Sequence, residues 1–289
     1  MNDVSTATGS GADINLQDWV GRKEAIREHV APERVNALAA TLDVEADLGA
    51  GHPLPPGWHW IFFNPFVPRK GLGIDGHPRR GGFLPPVALP RRMWAGGRLT
   101  YHKPPTIGRE AVRESTILKV EAKSGRAGQL VFVTVSHQIS SGGELCITEE
   151  QDIVYREAAA PGTPAPAPTP APEGAAWSED ILPNTVLLFR YSALTSNGHR
   201  IHYDQQYARR EENYPDLVVH GPLTATLLQG FAARRAQKPL KSFEFRGASP
   251  LFVDVPFQLA GKPSETNASA LDLWASAGGG LAMKASAEV

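Results

Sequence analysis

The segment SALTSNGHRIHYD, residues 192–204, concentrates side chains that can hold or move protons. An amide, Asn197, precedes two histidines, His199 and His202, with no carboxylate between them. Histidine is the side chain best suited to proton transfer near neutral pH, and an amide can orient a water molecule or a hydroxyl group. The segment therefore predicts acid/base chemistry by a histidine, with an amide that orders the substrate or a water molecule.

Two other chemistries fit this segment poorly. His199 and His202 lie three residues apart and could share a helical face, but the sequence offers no third ligand, no HExxH pattern and a single cysteine, Cys146. Neither Ser192 nor Ser196 stands in a GxSxG nucleophile elbow. We therefore expect neither a metal site nor a serine hydrolase, and nothing in the sequence calls for a redox cofactor.

A second segment, VVHGPLTATLLQG at residues 218–230, joins an apolar run to a predicted helix start. Gly221 and Pro222 are residue types favoured at the cap and first turn of a helix. The first amides of a helix have no intrahelical partner, so the N–H of Gly221 or Leu223 could donate to an oxyanion. An ordinary helix start is the alternative interpretation, and the neighbouring histidines favour the oxyanion site.

Together the two segments resemble the hydratase (MaoC-like) branch of the hot-dog superfamily, the (R)-specific enoyl-thioester hydratases and dehydratases. The usual signature there is Asp-x-Asn-Pro-(aliphatic)-His-x-Asp followed by an alanine-containing helix, and NGHRIHYDQQYA, residues 197–208, matches it in register. The resemblance assigns His202 to the catalytic histidine and Gly221 to the amide that polarises the thioester carbonyl. It implies reversible addition of water to the double bond of an unsaturated acyl-CoA.

Three positions depart from that signature. Asn197 stands at the catalytic aspartate, His199 at the asparagine and Arg200 at the proline. An amide cannot accept a proton as a carboxylate does, so His202 would carry most of the acid/base chemistry while Asn197 holds the water molecule or the substrate hydroxyl.

The residues of the motif most resemble those of one subgroup, the type 2 hydroxyacyl-thioester dehydratases and the bacterial hydratases of mesaconyl-CoA (3-methylfumaryl-CoA) and itaconyl-CoA. Both of these bacterial hydration reactions lead to citramalyl-CoA. LPRRMWAGGRL, residues 89–99, is similar to the bacterial subgroup. The resemblance implies a short, branched, dicarboxylic acyl-CoA as substrate, with plain (R)-3-hydroxyacyl thioesters as the alternative. A hot-dog thioesterase is disfavoured because residues 221–233 hold no carboxylate, and a non-catalytic acyl-CoA-binding module is the remaining alternative.

A basic region between positions 69 and 98 could bind the anionic parts of such a substrate. Its cationic residues face a single acid, Asp75, and are Arg69, Lys70, Arg79, Arg80, Arg91, Arg92 and Arg98. Arginine's planar donor fork suits phosphates and carboxylates, whereas a solvated surface loop is the alternative. The residues for which we predict substrate contacts are Arg91, Arg92, Trp94, His199, Arg200 and Leu223.

The same region contains GLGIDG, residues 71–76, which has the GxGxxG spelling of a dinucleotide-binding loop. Such a loop must follow a strand and begin a helix, whereas NPFVPRK and HPRRGGF flank this one. We therefore expect a mobile glycine-rich loop instead.

A tract of alternating alanine and proline, residues 158–176, predicts an extended linker between two halves. We expect a disordered tail at 1–13, a non-catalytic hot-dog domain that accommodates the substrate at 14–157, and a hot-dog domain that carries the motif at 177–289. The fold class implied by the resemblance is α+β, a double hot-dog in which two antiparallel sheets each wrap around a long central helix.

Local patterns predict most of the elements. Apolar spacings of three and four residues predict helices at 16–30, 31–44, 204–210 and 223–235. Alternating, β-branched stretches predict strands at 115–125, 129–143, 144–157, 185–193, 241–247, 251–261, 270–280 and 281–289.

Composition limits the range of partners. The 29 basic and 30 acidic residues of the 289-residue chain nearly cancel, so no global field draws it to nucleic acid or to an anionic membrane. The first thirteen residues lack the pattern of a signal peptide, and the single cysteine fits a reducing compartment. We expect a cytoplasmic enzyme that acts on a small molecule and forms a homodimer.

Overall fold

One continuous antiparallel sheet of ten strands forms the frame of the protein. The computed structural model describes residues 15–45, 48–125, 128–158 and 167–289. The strands are β1 (Lys23–His29), β2 (Arg91–Tyr101), β3 (Glu110–Gly125), β4 (Gly128–Ser141), β5 (Glu144–Arg156), β6 (Trp177–Ile181), β7 (Ser242–Gly247), β8 (Phe257–Pro263), β9 (Ala270–Ala277) and β10 (Gly280–Glu288). Their spatial order is β1-β3-β4-β5-β2-β7-β10-β9-β8-β6.

The pairing of β2 with β7 joins the first five strands to the last five, so the two separate sheets expected from the sequence are one sheet. The register runs from Gly96 opposite Arg246 to Thr100 opposite Ser242. A Cβ added at Gly96 would lie 2.5 Å from the Phe245 carbonyl oxygen. Glycine is therefore needed at this seam, because a side chain would push the two halves of the sheet apart.

Four α-helices lie on the sheet or beside it: α1 (Pro32–Thr41), α2 (Thr185–Leu194), α3 (Gln205–Arg210) and α4 (Gly221–Ala236). α4 packs against β7, β8, β9 and β10, with Leu223, Leu228 and Phe231 fully buried. Pro222 occupies its first turn, where the missing N–H of proline costs no hydrogen bond. The second half therefore wraps its strands around a long helix, as expected.

The first half differs from the expectation of a long central helix. Among the residues that the structure describes there, α1 spans ten residues and contacts α2 rather than the middle of the sheet. The sheet face of β2, β3 and β5 instead contacts the irregular segment Trp58–Phe63, in which Trp58–Ile61 form a 3₁₀ turn. Prolines at 53, 55 and 56 precede this segment and oppose a regular helix there.

Two predicted elements have the wrong type. Residues 16–30 form a 3₁₀ turn and then strand β1, whose exposure alternates along Lys23–His29, so its true period is two. Residues 185–193 form helix α2 instead of a strand. Asn184 caps this helix by accepting the Leu187 N–H, and an apolar run without a clear period does not discriminate helix from strand.

The remaining predicted elements agree with the structure, except that β8 begins six residues later than the predicted segment and that β2 and β6 were not predicted. Residues 159–166 of the predicted linker, and the predicted tail at 1–13, lie outside the described residues. The described end of the linker pairs with the hairpin of β9 and β10, where Leu281 N–H donates to Thr169 O over 2.7 Å and Ala171 N–H donates to Gly279 O over 2.9 Å. Within the described ranges, none of the helices has the length and apolar character that crossing a bilayer requires.

Candidate active site

His202 ends a 3₁₀ turn, Arg200–His202, and its ring is buried. Its Nδ1 lies 2.7 Å from the Val218 carbonyl oxygen, an atom that can only accept. Nδ1 therefore carries the proton in the neutral ring, and Nε2 keeps a free lone pair. Burial, with the nearby His220 as the second cause, lowers the pKa of His202 well below its ordinary value, so the imidazole is neutral at physiological pH and its Nε2 lone pair is unprotonated.

His220 connects this imidazole to the start of α4. It is the residue before Gly221, it is completely buried, and its ring stacks on that of His202 with 3.6 Å between centroids. Ser192 Oγ lies 2.8 Å from His220 Nε2 and fixes the ring from the side of α2. Burial lowers the pKa of His220 to about 3, so two neutral imidazoles stack here without charge repulsion.

The N-terminus of α4 presents free amides beside the two rings. The first intrahelical bond runs from Thr224 N–H to His220 O, and no acceptor among the described residues meets the N–H of Gly221 or Leu223. A Cβ added at Gly221 would meet open space, so a ligand atom can approach this amide closely. Leu223 is fully buried in the core and does not line the neighbouring cavity, so the structure does not support its predicted contact with a substrate.

Asn197 lies in a tight turn just before the histidines. Its Oδ1 accepts the N–H of His199 over 3.0 Å, and the preceding Ser196 has a left-handed φ of 51°. A cavity of about 350 Å³ opens at this turn, and its wall includes Asn197 and Pro222 from the second half and Trp60 and Trp94 from the first. The asparagine of the motif and the first turn of α4 therefore face one space.

The glycine-rich loop at 71–76, which the sequence predicted to be mobile, packs directly on this turn. A Cβ at Gly76 would lie 1.8 Å from the Gly198 carbonyl oxygen, and Arg200 N–H donates to Asp75 O over 2.9 Å. Only glycine permits so close an approach of two backbones. The glycines thus serve contact between two protein loops.

This contact creates a chain of ionisable groups that the sequence analysis missed. Asp75 accepts from His77 over 3.0 Å, the ring of His77 lies 4.2 Å from that of His199, and His199 Nε2 lies 3.2 Å from Glu212. Glu212 in turn pairs with Arg91 at 2.9 Å. Burial lowers the pKa of His77 to about 4. The chain supports His199, which meets His202 edge to face at 5.6 Å.

Asp75, His77 and His199 also form a candidate metal trio, because one ligand atom from each lies within 4.8 Å of the others. Asp75 of the glycine-rich loop and the adjoining His77 join His199 in this trio, and His202 is not among them. The hydrogen bond between Asp75 and His77 and the ion pair between His199 and Glu212 already engage these groups. These contacts favour a supporting role over metal binding, in which the three residues hold the motif through hydrogen bonds.

Two arginines of the predicted basic patch, Arg91 and Arg98, are paired with acids from distant segments. Arg91 pairs with Glu212, and Arg98 pairs with Glu150 and Asp152 at 2.7 Å each. Arg200 pairs with Asp204 at 2.7 Å and also donates to the Ile74 carbonyl oxygen. Arg91 and Arg200 thus brace the loops around the motif and do not line the cavity, whereas Trp94 does. Arg92 lies near Tyr155 and His77.

A second polar cluster, buried in the first half, lines the same cavity and was also missed. Glu149 on β5 accepts from His59 Nε2 at 3.0 Å, Trp60 Nε1 at 2.9 Å and Gln151 Nε2 at 2.8 Å. These donors outweigh the effect of burial and lower the pKa of Glu149 to about 2. Arg113 on β3 reaches the cavity beside this cluster. Single polar residues inside apolar strands were the available signal in the sequence.

The fold and the site together define a hot-dog protein of the MaoC-like kind: an antiparallel sheet encloses a helix whose N-terminus meets a buried histidine. A solved MaoC-like dehydratase superposes on this chain with a TM-score of 0.68 and 19% identity, and the match covers 95% of this chain and 99% of the other. The hot-dog fold predicted from the motif is thereby confirmed.

The family is defined by sequence comparison. The family model of hydroxyacyl-thioester dehydratase type 2 matches residues 57–253. A mesaconyl-C(4)-CoA hydratase of Chloroflexus aurantiacus is 48% identical over 276 residues, which cover 94% of this chain and 96% of that protein. The mitochondrial hydroxyacyl-thioester dehydratase type 2 of Schizosaccharomyces pombe is 34% identical over 232 residues, 71% of this chain and 77% of that protein. The chain belongs to the hydroxyacyl-thioester dehydratase type 2 family, as the motif predicted.

Proposed function

We propose that the protein is a hydro-lyase that adds water reversibly to the double bond of a short, branched, dicarboxylic acyl-CoA, with mesaconyl-C4-CoA or itaconyl-CoA as substrate and citramalyl-CoA as product. One geometric observation carries the proposal: a neutral histidine with a free Nε2 stacks on the residue that precedes α4, beside unpaired helix amides. The relative at 48% identity bears the name of this reaction type.

In the hydration of mesaconyl-C4-CoA, whose double bond is conjugated with the thioester, His202 Nε2 accepts a proton from water while the water oxygen bonds to the β-carbon of the substrate. The electron pair of the double bond moves towards the thioester, whose oxygen gains negative charge. Gly221 N–H at the start of α4 donates to that oxygen, helped by the positive end of the helix dipole. The imidazolium of His202 then returns its proton to the α-carbon, which leaves the enzyme as it began.

Asn197 orients the attacking water or the product hydroxyl in this scheme. Its Oδ1 is engaged by the His199 N–H, which leaves the amide NH₂ group as a donor towards the cavity wall. Because an amide takes up no proton, a single residue, His202, both removes and returns the proton. The supporting contacts of His199 and Arg200 hold the turn that carries both groups.

We further propose that the chain is a double hot-dog with a division of labour between its halves. The first, within 14–157, accommodates the acyl group, and the second, within 177–289, carries the motif. The five-plus-five strand order supports this division, as does a cavity whose wall takes residues from both halves. Homodimer formation and a cytoplasmic location remain predictions, the first of which sedimentation equilibrium would measure.

A plain (R)-3-hydroxyacyl thioester is the second candidate substrate, because the 34%-identical relative is named a hydroxyacyl-thioester dehydratase. A cavity of about 350 Å³, whose wall includes Arg113 and Glu149 beside aromatic residues, favours a short polar acyl group over a long apolar chain. The thioesterase alternative is weak because α4, residues Gly221–Ala236, carries no carboxylate that could activate water for acyl transfer.

The test is to mix purified protein separately with mesaconyl-CoA, itaconyl-CoA and crotonyl-CoA and to follow the enoyl-thioester absorbance and free thiol in parallel. We expect loss of the chromophore without thiol release, fastest with one of the two dicarboxylic substrates. Thiol release would instead establish a thioesterase. Binding without any change in either signal would contradict an enzymatic role towards these compounds.

A further inference from the structure

We infer that Arg113, on β3 of the first half, binds the free carboxylate of the acyl group and so selects dicarboxylic substrates. The inference rests on the proposed function and names the residue that recognises the part of the substrate remote from the thioester. Arg91, one of the substrate contacts predicted from the sequence, is paired with Glu212 instead.

Arg113 is positioned for this role by its place in the cavity wall. It lines the same space as Asn197 and Pro222, but it approaches from the opposite half of the sheet. A substrate whose thioester lies at the start of α4 would therefore extend its far end towards β3. A span of this kind matches a short acyl group better than a long one.

The guanidinium of Arg113 retains unused binding capacity. Its Nε is shielded from solvent and has no hydrogen-bond partner within the described part of the chain, and its one ion pair, with Glu24, spans 3.6 Å. A buried donor without a partner is unfavourable, so an incoming carboxylate gains from both charge and hydrogen bonding. Phe63 lies under the guanidinium at 5.7 Å and restricts its position.

The acids around Arg113 do not consume this capacity. Glu149 is the closest in the cavity wall, but its two oxygens accept from His59, Trp60 and Gln151. Glu28, which also acts on Arg113, is paired with Arg34. Burial lowers the pKa of Arg113 and the carboxylates oppose that effect, yet an arginine remains charged throughout the physiological range.

His59 lies at the same wall. Its Nε2 is held by Glu149, while its Nδ1 is buried and has no partner among the described residues. Arg113 is thus the cationic donor of the subsite, and His59 forms part of its wall.

The experiment compares kcat/KM for mesaconyl-CoA and crotonyl-CoA, because crotonyl-CoA lacks the free carboxylate. We expect the ratio of the two values to fall at least 30-fold in Arg113→Gln and to recover in part in Arg113→Lys. Glu24→Gln is the matched control: it removes the ion-pair partner and keeps the guanidinium, and its ratio should stay within threefold of wild type.

Arg113→Met provides a second variant if Arg113→Gln folds poorly, since methionine keeps much of the aliphatic volume and carries no charge. Its ratio should also fall at least 30-fold. An unchanged ratio in both variants, or equal losses on both substrates, would overturn the inference. Wild-type protein that hydrates crotonyl-CoA but neither dicarboxylic substrate would overturn the inference while the hydratase function stands. Wild-type protein inactive on all three would remove the proposed function itself.

Discussion

The two halves of the sheet enclose different contents. In the second half, strands β7 to β10 pack on α4, whose free amides and preceding histidine form a site for developing charge. In the first half, the corresponding space holds Trp58–Phe63 and a carboxylate that three donors surround. A helix supplies aligned dipoles, whereas an irregular segment can present full charges and aromatic walls. Under the proposed function, one sheet would carry catalysis at one end and recognition at the other.

Among the variants that distinguish the two halves of the sheet, His202→Asn should have the largest effect on activity. Asparagine can place its NH₂ group near the former Nδ1 and keep the bond to Val218 O, while the basic Nε2 is lost. We expect kcat to fall by about 10² to 10⁴, the usual contribution of positioned proton transfer. Stopped-flow absorbance gives kcat, and circular dichroism checks the fold. Activity near the wild-type level would show that the base lies elsewhere, and the first half would then be the place to look.

The first half should depend on Glu149 for stability. Replacing Glu149 with alanine leaves His59, Trp60 and Gln151 without their shared acceptor, and breaking such a buried polar cluster typically costs about 3–5 kcal/mol. The adjacent Glu150, whose side chain is 40% exposed, pairs with Arg98, so Glu150→Ala should cost under about 1 kcal/mol. Urea denaturation measures both, and equal losses would contradict a specific role for the buried carboxylate.

Buried histidines in both halves make stability depend on pH. Burial lowers the pKa of His77 and of His137 to about 4 and that of His220 to about 3, and it also lowers the pKa of His202 well below its ordinary value. Below about pH 6.5 these histidines take up protons in the unfolded chain but stay neutral in the folded chain. Stability should therefore be full above about pH 6.5 and fall towards pH 4, with a slope approaching 1.4 kcal/mol per pH unit for each such histidine.

Denaturant unfolding between pH 4 and 8 tests this expectation. His137→Gln probes the first half and His220→Gln the second, and each variant should flatten the slope by the share of one histidine. A stability that stays constant down to pH 5 would contradict the low pKa values. A slope that only one variant changes would assign the acid sensitivity to one half of the sheet.

The smallest effect expected is that of Ser192→Ala in the second half. Its hydroxyl lies 2.8 Å from His220 Nε2, and loss of one hydrogen bond of this kind costs about 1 kcal/mol, or roughly a factor of five in kcat. Ser192 acts through the His220 ring, so the pH dependence of kcat should also shift, which a purely structural role would leave unchanged. Ser196→Ala, in the adjoining turn, is the matched control.

Sequence alone was sufficient for elements whose pattern is local. The proline at the start of α1, the apolar face of α4 and the alternation along β3, β4 and β5 each predict an element of the correct type. It failed where two periods compete: Lys23–His29 form a strand and Thr185–Leu194 a helix, against expectation. In both cases tertiary contacts choose the face that becomes buried, and the short segment by itself fits either period.

For the site, the sequence determined the motif, because Asn197 and His202 stand in one stretch with fixed spacing and Gly221 stands in the next. It could not determine what meets that motif. The contact of Gly76 with Gly198 and the meeting of His59, Arg113 and Glu149 join segments far apart along the chain. Local patterns carry no information on such pairings, since strand order and the docking of loops decide them. The tertiary structure therefore decided which arginines are neutralised and which one faces the cavity.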